Sequence, residues 1–328
     1  MKRALRMLVG VLLAAVFLWL VVRHVSFEDL WAALVAVRPE YLLAAGGAFI
    51  CGYASRIERW RLMLTHANPG LRWHTCAGPF MASVAANNVL PFRAGDVLRA
   101  LSFGRELGVS SSATVSSLIT ERLLDLLMMA VFLGLATATL GAESSTMLGV
   151  GGWIIATGGG VFLVLLMLPG VLRRPVSLLV SAIAVVSRPA SRRMRDALDS
   201  LLASLALNAS ARTMTRLVLW SFVTWAAEGA VFWFAALSLP SIDVPSAAWA
   251  AMPVGTLATV IPSTPGYIGT FDFFAAQTMM TLGNTLLAAT SFALLVHLIL
   301  WVPPTLVGGL YGLYRLAWQP AHRKVLPS

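Results

Sequence analysis

Four carboxylates stand inside stretches that are otherwise apolar: Glu121, Asp125, Glu228 and Asp272. A charge at the centre of a bilayer costs at least about 2.5–3.5 kcal/mol, so such a residue normally faces a partner or a polar cavity. Glu121 and Asp125 are four positions apart and share a helix face, with Arg122 beside them. Two readings stand, an internal ion pair that fixes packing and the wall of a polar cavity, and the convergence of several such groups favours the cavity. More polar residues occur at two breaks in the apolar pattern. The first is Asn87-Asn88-Val89-Leu90-Pro91-Phe92-Arg93-Ala94-Gly95-Asp96, and the second runs from Ile261 through Pro265, Gly266 and Gly269 to Asp272. Each contains Pro-x-x-x-Gly (Pro91/Gly95 and Pro265/Gly269) with an acid soon after. Arg93 either pairs with Asp96 to close a hairpin or joins Arg99, Arg56 and Arg59 in recognising phosphate, whose oxygens match guanidinium donors two at a time. Helix starts after Pro91 and Pro265 would offer free N–H groups to an anion.

Other chemistry finds little support. No Ser/His/Asp set, Walker loop or GxGxxG is present, Cys51 and Cys76 form no metal-ligand spacing, and His297 is alone in the last apolar run, where packing or a hydrogen bond is its expected role. No cofactor, metal or catalytic residue is expected, and the chain is read as a non-enzyme.

These residues need a membrane scaffold to hold them. Apolar residues make up 58% of the 328-residue chain and charged residues 12%, with a mean hydropathy of +0.80. Several apolar runs approach the roughly 20 residues that cross a bilayer as helix. The net charge of +10 does not indicate nucleic acid, because the basic residues fall in the breaks between those runs. The N-terminal run lacks a small-x-small cleavage site and reads as a retained first span, Leu5 to Val22. A linker, Arg23 to Arg38, leads to span two, Pro39 to Tyr53, which ends in the basic cluster Arg56, Glu58, Arg59, Arg61. Span three covers Ser116 to Leu140, span four Met147 to Leu168, span five Leu217 to Leu239, and a last stretch Leu286 to Tyr314, kinked at Pro303-Pro304. The segments Trp73 to Leu107 and Ala247 to Leu282 are too interrupted for ordinary spans and read as re-entrant half-helices, tolerated where broken backbone lines a cavity. Between spans four and five, Met194, Ala197, Leu198, Leu201, Leu202 and Leu205 follow a helical period, a pattern for a helix lying on the membrane surface.

With both interrupted segments returning to the side they came from, all but Arg23, Arg38 and Arg122 of the 24 basic residues share one face. The positive-inside rule makes that face, and both termini, cytoplasmic. The expected fold is all-α: a single integral membrane domain over residues 1–328, with about six transmembrane helices and two re-entrant hairpins in an inverted repeat. Its halves cover about 39–140 and 217–314, and a basic region with the interfacial helix fills 170–216. Inverted repeats with broken helices meeting near the midplane mark many transporters.

The motifs Arg56-x-x-Arg59-Trp60, Asn88-x-x-Pro91-x-Arg93-x-Gly95-Asp96, Glu121-Arg122-x-x-Asp125 and Pro265-Gly266-x-x-Gly269-x-x-Asp272 together resemble the lysylphosphatidylglycerol synthase transmembrane-region family, also called flippase-like. The resemblance covers nearly the whole chain. In the multiple peptide resistance factor such a membrane region is associated with moving aminoacylated phosphatidylglycerol between leaflets, while a separate soluble domain makes the lipid. This sequence stops about ten residues past its last span, so the soluble synthase domain is expected to be missing and its activity is not carried over. Where the family often has glutamate this chain has Asp96 and Asp272, which keeps the charge. Stand-alone members include proteins associated with hopanoid metabolism.

The resemblance implies a protein of the bacterial inner membrane that moves or binds an anionic or aminoacylated phospholipid, or another polar-headed lipid such as a hopanoid, with a homo-oligomer possible. A membrane-embedded lipid-modifying transferase is the main alternative, disfavoured because no histidine or nucleophile accompanies the carboxylates in the sequence. A lipid-binding accessory subunit is a third.

Overall fold

The computed structural model describes residues 26–90, 93–140, 208–260 and 265–318, with scattered positions between 157 and 206. The expected span Leu5 to Val22, nearly all of the expected span Met147 to Leu168, and Pro91 at the first break lie outside the described residues. So does most of the expected surface helix, although Leu205 is described and is buried with Met63, Leu124, Met214 and Leu217.

Ten α-helices and no strand occur among the described residues: α1 (Phe27–Val35), α2 (Pro39–Leu64), α3 (Trp73–Val89), α4 (Ala94–Ser102), α5 (Gly104–Leu107), α6 (Ser111–Leu140), α7 (Ala211–Ser238), α8 (Ala248–Ala258), α9 (Thr270–Thr281) and α10 (Leu286–Trp318). Short 3-10 turns cover Pro245–Ala247 and Pro265–Tyr267. Local chemistry sets the starts. Ser26, Ser110 and Ser210 each accept a backbone N–H of the first turn of α1, α6 and α7, and Pro39 opens α2, where its missing N–H costs no bond. The expected linker thus contains a helix, α1, which meets α2 at 80°.

Among the described residues two helices are long and apolar enough to cross a membrane, Ala211–Ser238 and Leu286–Arg315, and a third if α1 and α2 form one bent span. The other 30-residue helix, α6, carries Glu121, Arg122 and Asp125. The last span contains Pro303 and Pro304 inside a single helix, α10.

Span two does not end before its basic cluster. Helix α2 continues to Leu64, so Arg56 and Arg59 lie inside the bundle and not in a cytoplasmic loop. The reason is pairing: α2 lies antiparallel along α7, and each charge meets a partner there. Contacts step evenly in opposite directions, from Arg38 N to Ser238 O at 2.8 Å, through Gly52 beside Ala227 and Ser55 Oγ to Thr224 Oγ1 at 2.9 Å, to Arg59 on Ser221. Helices α3 and α10 are likewise antiparallel: Gly78 faces Tyr311, Gly308 abuts the Met81 carbonyl, and Asn88 donates to Thr305 Oγ1 at 2.8 Å.

Both interrupted segments fold back on themselves, α4 against α3 and α9 against α8. Gly95 permits the first fold, since a Cβ there would collide with the Ser83 carbonyl oxygen. The chain resumes as helix at Ala94, one position before Gly95, and at Thr270, one position after Gly269. These starts fall three and five residues beyond the prolines, later than their positions in sequence suggest. The residue before each start has positive φ, Arg93 at 52° and Gly269 at 87°. Asp96 and Asp272 both occupy the third position of the following helix. Structurally, therefore, Gly269 corresponds to Arg93, whereas the shared Pro-x-x-x-Gly pattern matches it to Gly95.

The main apolar core gathers Phe232, Met252, Phe271, Met279 and Phe292 from α7 to α10 around the second hairpin. A smaller core of Trp60, Leu64, Phe80 and Phe103 supports the first.

Candidate polar cavity between the hairpins

Three helices that cross one another bring the charged residues together. Arg56 and Arg59 come from α2, Glu121, Arg122 and Asp125 from one face of α6, and Glu228 from the middle of α7. Arg56 Nη2 lies 2.9 Å from Glu228 Oε2, and its guanidinium stands over the Trp225 ring, 4.8 Å from its centre. Arg59, 1% exposed, pairs with Asp125 Oδ1 at 2.8 Å and donates to Ser221 Oγ at 3.0 Å. The Trp225 indole N–H donates to the same Asp125 oxygen at 3.0 Å. Buried charges persist only when paired and hydrogen-bonded in this way.

The first hairpin adds Asp96 and Arg99. Arg99, 1% exposed, places Nη2 3.1 Å from Glu121 Oε1 and 3.7 Å from Asp96 Oδ1, with its cation over Phe80 and Trp60 at 4.9 and 5.2 Å. Arg122 spans three acids: Glu121 at 2.9 Å, Asp125 at 3.4 Å and Asp96 at 3.7 Å. Asn87 holds Asp96 in place, donating to Asp96 Oδ1 at 3.0 Å and accepting the Asp96 N–H at 3.2 Å. That accepted bond uses one of the helix-start N–H groups that an anion was expected to find free. Arg99 Nε and Nη1 and Glu121 Oε2 are buried with no hydrogen-bond partner among the described residues, which leaves the cluster with unused hydrogen-bonding capacity.

Arg93 does not pair with Asp96. It reaches across to the second hairpin, where Nη2 donates to Thr259 Oγ1 at 3.2 Å and the guanidinium lies over the Tyr267 ring, 5.6 Å from its centre. Among the described residues it has no carboxylate partner.

These groups enclose a cavity of about 320 Å³. Of the residues singled out from sequence, Arg56, Asn88, Arg93, Asp96, Glu121, Arg122, Asp125 and Glu228 line it. Arg59 does not, because it is buried behind Asp125. Gly95, Gly266 and Gly269 serve the backbone of the hairpins, and Gly266 (φ 71°) packs beside the Trp301 indole. Asp272 is absent from the lining as well. It is 1% exposed, its Oδ2 accepts the Gly269 N–H at 2.8 Å, and its Oδ1 lies 2.7 Å from Nδ1 of His297. A histidine therefore does accompany one of the carboxylates, contrary to the sequence-based expectation, which had left His297 to packing or an unnamed hydrogen bond. His297 borders a second cavity of about 130 Å³ with Glu228, Asn88, Thr256, Thr259, Tyr267, Gly266, Phe271, Leu300 and Trp301. Five of these residues also line the larger space.

Sequence reasoning missed Tyr53, Trp225, Thr259, Tyr267 and His297. Only His297 carried a signal, as an ionisable group in an apolar run; the others are aromatic or hydroxyl residues whose role comes from where α7 and the second hairpin place them.

Residues 7–308 match the family described as the lysylphosphatidylglycerol synthase TM region. Glycosyltransferase AglD of Haloferax volcanii is 25% identical over a 351-residue alignment that takes in 96% of this chain and 55% of that protein. The chain thus spans about half the length of that relative.

Proposed function

The chain belongs to the lysylphosphatidylglycerol synthase transmembrane-region family, and from that premise we propose that it is a flippase-like protein whose cavity takes the headgroup of an anionic phospholipid and carries it across the bacterial inner membrane. The observation that carries this reading is the cavity's charge. Counting Arg59, which is buried behind Asp125 and neutralises it, five arginines (Arg56, Arg59, Arg93, Arg99 and Arg122) meet four carboxylates (Asp96, Glu121, Asp125 and Glu228), and among the described residues Arg93 is the cation left over. A site with one unmatched guanidinium favours an anion, and a phosphate suits its paired donors. About 320 Å³ lies at the lower end of the range for small-molecule pockets, enough for a headgroup but not for acyl chains. Val260 of the lining is apolar and 69% exposed. Lipid tails would remain there in the hydrocarbon.

In this reading the two halves, α2 to α6 and α7 to α10, form an inverted repeat with both termini cytoplasmic. The antiparallel course of α2 and α7, the opening helices of the two halves, supports that arrangement, as do the matching contacts of α3 with α10 and of α8 with α6. The test is lipid movement in reconstituted vesicles. Wild-type protein is expected to speed the crossing of labelled phosphatidylglycerol well above empty vesicles and Arg93→Ala to abolish the gain; crossing no faster than in empty vesicles overturns the reading.

A second reading has a specific observation behind it. His297 on Asp272 is a base-and-orienter arrangement that a lipid-modifying transferase could use, and a relative is named a glycosyltransferase. Loss of a lipid species from a deletion strain, with the leaflet distribution of the others unchanged, would favour that reading over transport.

A further inference from the structure

The Asp272–His297 pair stands outside the charged network, and the proposed headgroup site uses neither residue. We propose that this pair is a proton-binding site linked to the headgroup cavity, so that taking up an anionic headgroup and taking up one proton favour each other. The inference rests on the headgroup reading above and adds to it the ion that accompanies the lipid.

The geometry is that of a relay with one open end. Both oxygens of Asp272 are engaged, one by the Gly269 N–H and one by His297 Nδ1, and the carboxylate is 1% exposed. A proton can reach the pair only through the far ring nitrogen, Nε2, which has no partner among the described residues. His297 lines the smaller cavity, whose 130 Å³ has room for several waters at about 30 Å³ each. That space continues to Glu228, Thr256, Thr259, Asn88 and Tyr267, which line the main cavity too.

The ionisable groups facing His297 can be named element by element. Helix α9 supplies Asp272, α7 supplies Glu228 with Arg56 of α2 paired behind it, and the 3-10 turn supplies Tyr267. Helix α3 contributes Asn88, which does not titrate, and α1 contributes no residue to this space. With imidazolium on Asp272 the pair is neutral, and with neutral imidazole it carries a net negative charge. Binding a proton therefore removes one negative charge beside a cavity that holds Arg93 for an anion. Tyr267 touches both sites, under the Arg93 guanidinium on one side and on the smaller cavity on the other. Reciprocity between two such sites follows from linkage.

The experiment is headgroup binding against pH, with the full-length purified protein in detergent and dioctanoyl phosphatidylglycerol as the probe. For wild type between about pH 5 and 8, affinity is expected to fall as pH rises, approaching tenfold per unit where one proton is lost. His297→Gln should bind with no such slope. Asp272→Asn should keep a slope but move the pH at which affinity falls, because imidazolium loses its counter-charge; a purely structural histidine would show no such movement. If His297→Gln does not elute as a single folded species, His297→Asn takes its place. Binding that is flat with pH in wild type, or a slope that survives in both histidine variants, overturns the proton site and leaves the headgroup site standing. Binding at no pH overturns the headgroup site. The proton site is then read from the nitrogen resonances of ¹⁵N-labelled His297: titration in this range that moves with Asp272→Asn supports it, and the absence of titration overturns it.

Discussion

The two hairpins place an aspartate at the same third position of their second helix, yet they treat it oppositely. Asp96 is surrounded by charge: Arg99 and Arg122 lie 3.7 Å away and Asn87 grips it on both sides. Its helix, α4, turns Val97 and Leu101 outward, at 56% and 67% exposure. Asp272 sits in the main apolar core, with Phe271, Ala275 and Met279 of its own helix buried around it, and meets one imidazole and one backbone N–H. An aspartate matched by guanidinium has a partner whose charge is fixed, because arginine does not give up its proton. An aspartate matched by histidine belongs to a pair whose total charge can change. The same local backbone therefore builds a permanent electrostatic wall in one half and a switchable one in the other.

The contrast is most exposed to failure at Arg99. Arg99→Met takes from Glu121 one of its two guanidinium partners and weakens the hold on Asp96, and the cost expected for opening such a buried network is about 3–5 kcal/mol. His297→Leu should cost less, about 1–3 kcal/mol, because it removes one hydrogen bond and opens no network of several charges. Thermal unfolding in detergent compares them, and equal losses would show that the two aspartates do not differ as described. The glycines come next. Gly95→Ala drives a methyl group into the Ser83 carbonyl and should cost about 1–3 kcal/mol, whereas Gly269→Ala meets a backbone penalty of about 1–2 kcal/mol from its positive φ.

The smallest effect has the opposite sign. Arg93 holds, at φ 52°, the place that glycine holds in the second hairpin. Arg93→Gly should stabilise the fold by up to about 1 kcal/mol while removing anion binding. A destabilised Arg93→Gly would mean that the side chain is there to hold the hairpins together and not to meet a ligand.

Much of this was legible in the sequence, for identifiable reasons. Apolar runs and proline breaks marked both hairpins, and the cost of burying charge singled out Glu121, Asp125 and Glu228. Hydropathy misled at Arg56 and Arg59. A run of arginines reads as the end of a span unless their partners are known, and those partners, Glu228 and Asp125, lie far along the chain. The same limit hid the link between Asp272 and His297, which sit on different helices and meet only because α9 packs against α10. The break pattern misled by two residues: a glycine needed for close packing, Gly95, was matched to one needed for its dihedral angle, Gly269.

The seam between α2 and α7 bears on mechanics. Gly52 rests against Ala227, Ser55 bonds to Thr224, and Arg56 and Arg59 each hold a partner on α7, so the two helices are fastened at successive turns. The described parts of the two hairpins meet through Arg93 on Thr259 and Tyr267 and through the Asn88 carbonyl beside Gly266. Sliding the seam would separate several bonds at once, an ion pair among them. In the transport reading, the α2–α7 pair is therefore expected to stay together and serve as the axle.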